Sequence, residues 1–96
     1  MEASFKKALE DFKGMDSGNR DFTEAWKKKE PYYYKRHNTL IVPSVVINRY
    51  FGCNLYRMSP EIVELLQKNG ARRACRQVYE NGQQLESVQV WVFNCD

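Results

Sequence analysis

Three arginines fall within five positions, Arg72, Arg73 and Arg76, at the head of the segment "RRACRQVYENGQQLESVQVWVF". A guanidinium carries a permanent charge and a planar fork of donors, which matches phosphate oxygens. In an extended strand neighbouring side chains point to opposite faces, so Arg72 and Arg76 share one face and Arg73 takes the other. Asn81-Gly82 signals a tight two-residue hairpin turn. Counted outward from such a turn, Arg72 opposes Trp91 and Arg76 opposes Ser87. Two readings of Arg72 stay open here. It can stack on Trp91, worth about 0.5–1 kcal/mol at an exposed site. Or Arg72 and Arg76 can contact phosphates, each releasing counterions and adding salt-dependent affinity.

A second set of candidates lies in "WKKKEPYYYKRH", residues 26–37. Lys27, Lys28, Lys29, Lys35 and Arg36 interleave with Tyr32, Tyr33 and Tyr34, and Tyr33 is the ring placed in the candidate site. Single-stranded nucleic acid is held by this combination: charge follows the backbone and rings stack on bases, at about 1–3 kcal/mol per base. The competing reading puts alternate tyrosines in the core and leaves the lysines at a solvated helix end, where the dipole favours cations. A third set, Arg49, Arg57 and Lys68, surrounds a turn between two short helices. It either extends a positive surface or consists of ordinary solvated charges.

Catalysis finds little support. His37 has no Ser or Cys partner at a recognisable spacing, and no glycine-rich phosphate loop is present. Glu10 and Asp11 are adjacent on a helical segment and do not face one another. The expectation is a binding protein rather than an enzyme, with no cofactor. Cys53, Cys75 and Cys95 are widely spaced and form no C-x-x-C, and one histidine leaves a zinc site poorly supplied, so no metal is expected. An odd cysteine count without a signal peptide points to a reducing compartment. No apolar run reaches the length of a membrane span. The expectation is a soluble, cytoplasmic protein with no membrane partner.

The elements that must position these groups follow from periodicity. The chain has 96 residues, 43% of them hydrophobic, which suits a single domain over 1–96. Lys and Arg exceed Asp and Glu by 15 to 12, so the charge distribution says more than its sum. Phe5, Ala8, Leu9 and Phe12 give one face of a helix over residues 3–13, with Gly14 as its stop. A second helix spans "RDFTEAWKKK" and ends before Glu30-Pro31. Part of "YYYKRHNTLIV" reads as one short strand. Pro43 is placed at the first turn of a short helix closed by Gly52. Ser59-Pro60-Glu61 is the clearest helix start: a serine cap, proline at the first position and an acid in the first turn. Ile62, Leu65 and Leu66 form its buried stripe. Val88, Val90 and Val92 alternate with Gln89, Trp91 and Phe93, as in a half-buried strand. The fold class is α+β: N-terminal helices over 1–30, a short helix pair, and a C-terminal β-hairpin.

With "VPSVVINRYFG" as a second helix, "SPEIVELLQKNG" as a third and the hairpin as a wing, residues 42–93 resemble a winged helix-turn-helix. They are similar to small modules of phage and mobile-element primase and helicase proteins. The resemblance implies a DNA-binding accessory of replication or regulation, with single-stranded DNA as one target. The third helix carries Glu61 and Glu64, so contacts would fall to the wing and flanking segments. The alternative is a protein-binding adaptor or inhibitor, such as a phage protein acting against a host defence complex. If the aromatic-basic segment and the arginines share one continuous face, nucleic acid is favoured; opposite sides favour the adaptor.

Overall fold

The computed structural model describes residues 3–52 and 59–95. They form a mixed α+β structure with four helices and a four-stranded antiparallel sheet. Helix α1 spans Ala3–Met15 and α2 spans Phe22–Lys27. Strands β1 (Tyr32–Tyr34) and β2 (Thr39–Pro43) follow, joined by a 3₁₀ turn at Lys35–His37. Then come α3 (Ser44–Tyr50), α4 (Pro60–Lys68), β3 (Arg72–Glu80) and β4 (Gln83–Asn94). The sheet order is β1-β2-β4-β3.

Side-chain alternation gives the sheet two apolar faces. On one, Leu40, Val42, Trp91 and Phe93 pack against Phe5, Ala8, Leu9 and Phe12 of α1, Val46 and Ile47 of α3, and Leu66 of α4. On the other, Ile41, Val78, Val88 and Val90 pack against Phe22, at the start of α2. Helix α2 has six residues, too short to stand alone. The Asp21 carboxylate holds its first turn by accepting the Glu24 N–H at 2.9 Å. Trp26 anchors its far end by donating Nε1–H to Glu86 of β4 at 2.7 Å. Because α2 is short, it covers only part of its face.

Several elements differ from the expectations. Gly14 does not end α1; the helix runs through it to Met15. The single strand expected in "YYYKRHNTLIV" is a hairpin, because Asn38 adopts a left-handed conformation (φ 49°) and reverses the chain. Pro43 is the last residue of β2 and the cap of α3, not its first turn. In α4, Ser59 caps as expected, and Leu66 is the fully buried residue while Leu65 and Ile62 are only partly so.

The hairpin register also differs. The Asn81-Gly82 turn has φ of 53° and 80°, as a two-residue turn of this kind requires. Glu80 pairs with Gln83 and Tyr79 with Gln84, but Val78 pairs with Glu86. Leu85 is therefore an extra residue, a β-bulge. It shifts every pair beyond it by one, so Arg73 opposes Trp91, Arg72 opposes Val92 and Arg76 opposes Val88.

Candidate nucleic-acid interface

The register at the root of the hairpin decides where the arginines go. Residues directly opposite in an antiparallel pair share a face. Arg73 therefore lies with Trp91 on the face of α1, α3 and α4, and its guanidinium sits 5.1 Å from the indole centroid. The residue over the Trp91 ring is thus Arg73, not Arg72 as the simple two-residue turn predicts. Arg72 and Arg76 lie on the other face, flanking Ala74. Both are exposed, and among the described residues neither forms an ion pair with a carboxylate.

The same face carries two of the three tyrosines of β1. Tyr32 opposes Ile41, Ile41 opposes Val92, and Val92 opposes Arg72, so one row crosses the sheet from tyrosine to arginine. At the usual strand spacing that row is about 14 Å long. Tyr34 lies next to Tyr32 on this face, with ring centroids 6.2 Å apart and planes at 25°. The His37 ring is 4.9 Å from that of Tyr34. Where α2 leaves the face uncovered, a cleft of about 440 Å³ opens. Ile41 lines it with Phe22, Tyr32 and Tyr34, and Asp21, Thr23 and Arg76 supply its polar groups. Burial first, and then the nearby Tyr34, Asp16 and Asp21, raise the Tyr32 phenol above its ordinary range. The hydroxyl donates to the Arg20 carbonyl at 3.3 Å.

Tyr33, the ring chosen from sequence, points to the opposite face and packs on the main core. Its hydroxyl donates to Asn38 Oδ1, and Lys13 lies 5.3 Å from its ring. The lysines divide as well. Lys27 pairs with Glu80 at 3.5 Å and Lys28 with Glu24 at 3.9 Å. Lys29 lies 3.5 Å from the Trp26 centroid. These three are held by α2 and its neighbours. Lys35 and Arg36, in the turn between β1 and β2, are exposed. Arg49 donates to the Lys29 carbonyl at 3.2 Å. Lys68 sits in the last turn of α4. Arg57 and Cys53 lie outside the described residues.

The structure therefore joins Tyr32, Tyr34, Arg72 and Arg76 on one face and separates Tyr33, Arg73 and the lysine run from them. Tyr32 and Tyr34 were visible in sequence as alternate residues sharing a face. Which face stays open depends on how far α2 reaches, and no local pattern encodes that. The hairpin tip carries little positive charge: Glu80 and Glu86 flank the turn, and the exposed apolar residues there are Tyr79 and Leu85. The basic groups stand at the root of the hairpin.

A second cleft, of about 380 Å³, runs beside β4 where β2 gives way to α3. Its walls include Trp26, Val45, Val63 and Trp91. Among the described residues, β4 has no strand partner on that side beyond Val90. No group of three His, Cys, Asp or Glu stands together as a metal site among the described residues, and no helix there is long and apolar enough to cross a membrane. Compared with protein-family models, curated proteins and solved structures, the chain matches none.

Proposed function

We propose that this protein binds single-stranded nucleic acid, DNA in the first instance, across the partly uncovered face of its sheet. One observation carries the reading. Two adjacent tyrosines and two arginines without acidic partners among the described residues occupy a single face, with Tyr32 and Arg72 at opposite ends of one row of side chains and Arg76 beside the tyrosines in the cleft. Rings take bases and guanidinium groups take phosphates. Lys35 and Arg36 extend the positive surface past β1.

The order of α1, β2, α3, α4, β3 and β4, with β4 between β2 and β3, supports a winged-helix-like reading. It is used here without its usual reading helix. Glu61 and Glu64 are exposed on α4 and oppose a phosphate backbone. The role that goes with this reading is an accessory of replication or regulation in a phage or mobile element, acting in the cytoplasm by binding rather than catalysis.

The cleft beside β4 favours a second reading, a protein-binding adaptor or inhibitor. An extended peptide can pair with a free strand edge through main-chain hydrogen bonds.

A fluorescence-polarisation titration with single-stranded and duplex oligonucleotides at two salt concentrations tests the first reading. Four cations on the surface predict a log–log salt slope no steeper than about −3, at roughly −0.7 per single-strand phosphate. Arg72→Ala with Arg76→Ala is expected to weaken binding and to flatten the slope by about 1.4. Absence of binding at low salt would remove the nucleic-acid reading and leave the adaptor.

A further inference from the structure

The cleft between β1 and the start of α2 has the makings of more than a stacking surface. Its volume of about 440 Å³ has room for a base together with its sugar. Phe22, Tyr32, Tyr34 and Ile41 give it apolar lining, and Asp21, Thr23 and Arg76 give it polar lining. Aromatic rings beside a cation suit an unstacked base whose phosphate lies on the guanidinium.

Asp21 adds discrimination. Its Oδ1 accepts the Glu24 N–H at 2.9 Å, which fixes the carboxylate at the cleft wall. A carboxylate offers about four lone-pair sites over two oxygens, so acceptor capacity remains. It can only accept. Adenine, cytosine and guanine carry an exocyclic amino group that donates, and carboxylates read cytosine N4 in this way. Thymine and uracil put two carbonyl oxygens around their one ring N–H, and those oxygens repel a carboxylate.

We propose that this cleft holds one nucleobase, and that Asp21 makes it prefer bases with an exocyclic amino group over thymine or uracil. The proposal rests on the nucleic-acid reading above and is narrower than it. Thr23 and Arg76 also line the cleft, so the base edge and its phosphate can meet different residues.

The test compares oligo-dC with oligo-dT of equal length, in the full chain at neutral pH and one salt concentration. Both are pyrimidine strands, so base size is matched. Wild type is expected to bind oligo-dC about tenfold more tightly, the lower end of the value of one hydrogen bond to a charged group. Asp21→Asn keeps a good helix cap, since Asn caps as well as Asp. It is expected to reduce the ratio to near one with the circular dichroism spectrum unchanged. An abasic strand of the same length is expected to bind more weakly than either. Equal affinity for oligo-dC and oligo-dT in wild type, or an unchanged ratio in Asp21→Asn, would overturn base selection while leaving nucleic-acid binding in place. Failure of every strand to bind would remove both.

Discussion

Asp16 accepts from four donors. The N–H groups of Gly18 and Asn19 and the Asn19 amide reach Oδ1 at 2.8–2.9 Å, and the Tyr33 N–H reaches Oδ2 at 2.8 Å. The loop after α1 is thereby tied to β1, the strand that carries the tyrosines. Partial burial pushes the Asp16 carboxyl up, but the combined hydrogen bonds outweigh it and hold the carboxyl below its ordinary value of 3.8. A carboxyl depressed by folding adds stability that is fully present above its unfolded value and is lost as pH falls through the folded one. Urea midpoints measured at pH 7 and pH 3 are therefore expected to separate wild type from Asp16→Asn more at pH 7. A gap of the same size at both values would show that the charge of Asp16 adds nothing. The same scale accounts for Arg73, whose contact is with Trp91 and needs no ligand.

At the scale of elements, α4 and the hairpin each make a distinct demand. Leu66 is fully buried between α4 and the sheet, whereas Leu65 is partly exposed. Leu66→Ala is expected to cost about 2–5 kcal/mol, and Leu65→Ala clearly less. Chemical denaturation of the two variants decides, and a reversed order would mean that the stripe of α4 is turned. The sequence marked α4 well because Ser59 and Pro60 announce its start locally. It placed the apolar stripe on Ile62, Leu65 and Leu66 but could not rank them, since ranking depends on the angle at which α4 meets β4. The bulge was hidden for a similar reason. Asn81-Gly82 sets the turn, but Val88, Val90 and Trp91 set the register at the root by burial, and Leu85 absorbs the one-residue conflict. Deleting Leu85 is expected to be tolerated, at a cost of about 1 kcal/mol or less, because the tip it re-aims is exposed. The Arg73–Trp91 pairing should survive, leaving tryptophan emission unchanged. A loss of folding would mean that the bulge itself fixes the root. The hairpin of β1 and β2 was missed as a pair because its reversal rests on Asn38, a non-glycine residue at positive φ.

Across the whole molecule, the sheet divides the work. One face holds the large core under α1, α3 and α4; on the other, Phe22 of α2 packs with buried Ile41, Val78, Val88 and Val90, while Tyr32, Ala74 and Val92 are only partly buried. The formal net charge of +3 is a weak guide, because Lys27 and Lys28 are matched by Glu80 and Glu24 while Arg72 and Arg76 are not matched among the described residues. The condition set from sequence is one continuous face: Tyr32, Tyr34, Arg72 and Arg76 share a face, with buried Ile41 between Tyr32 and Arg72, and Tyr33 and the lysine run do not join them. The most direct measurement is an amide shift map by two-dimensional NMR, with a short single-stranded DNA titrated into labelled protein at low salt. Shifts concentrated on residues 21–23, 32–41 and 72–76, with α4 unmoved, are the predicted result. Shifts confined to residues 60–68, or none at all, would contradict it.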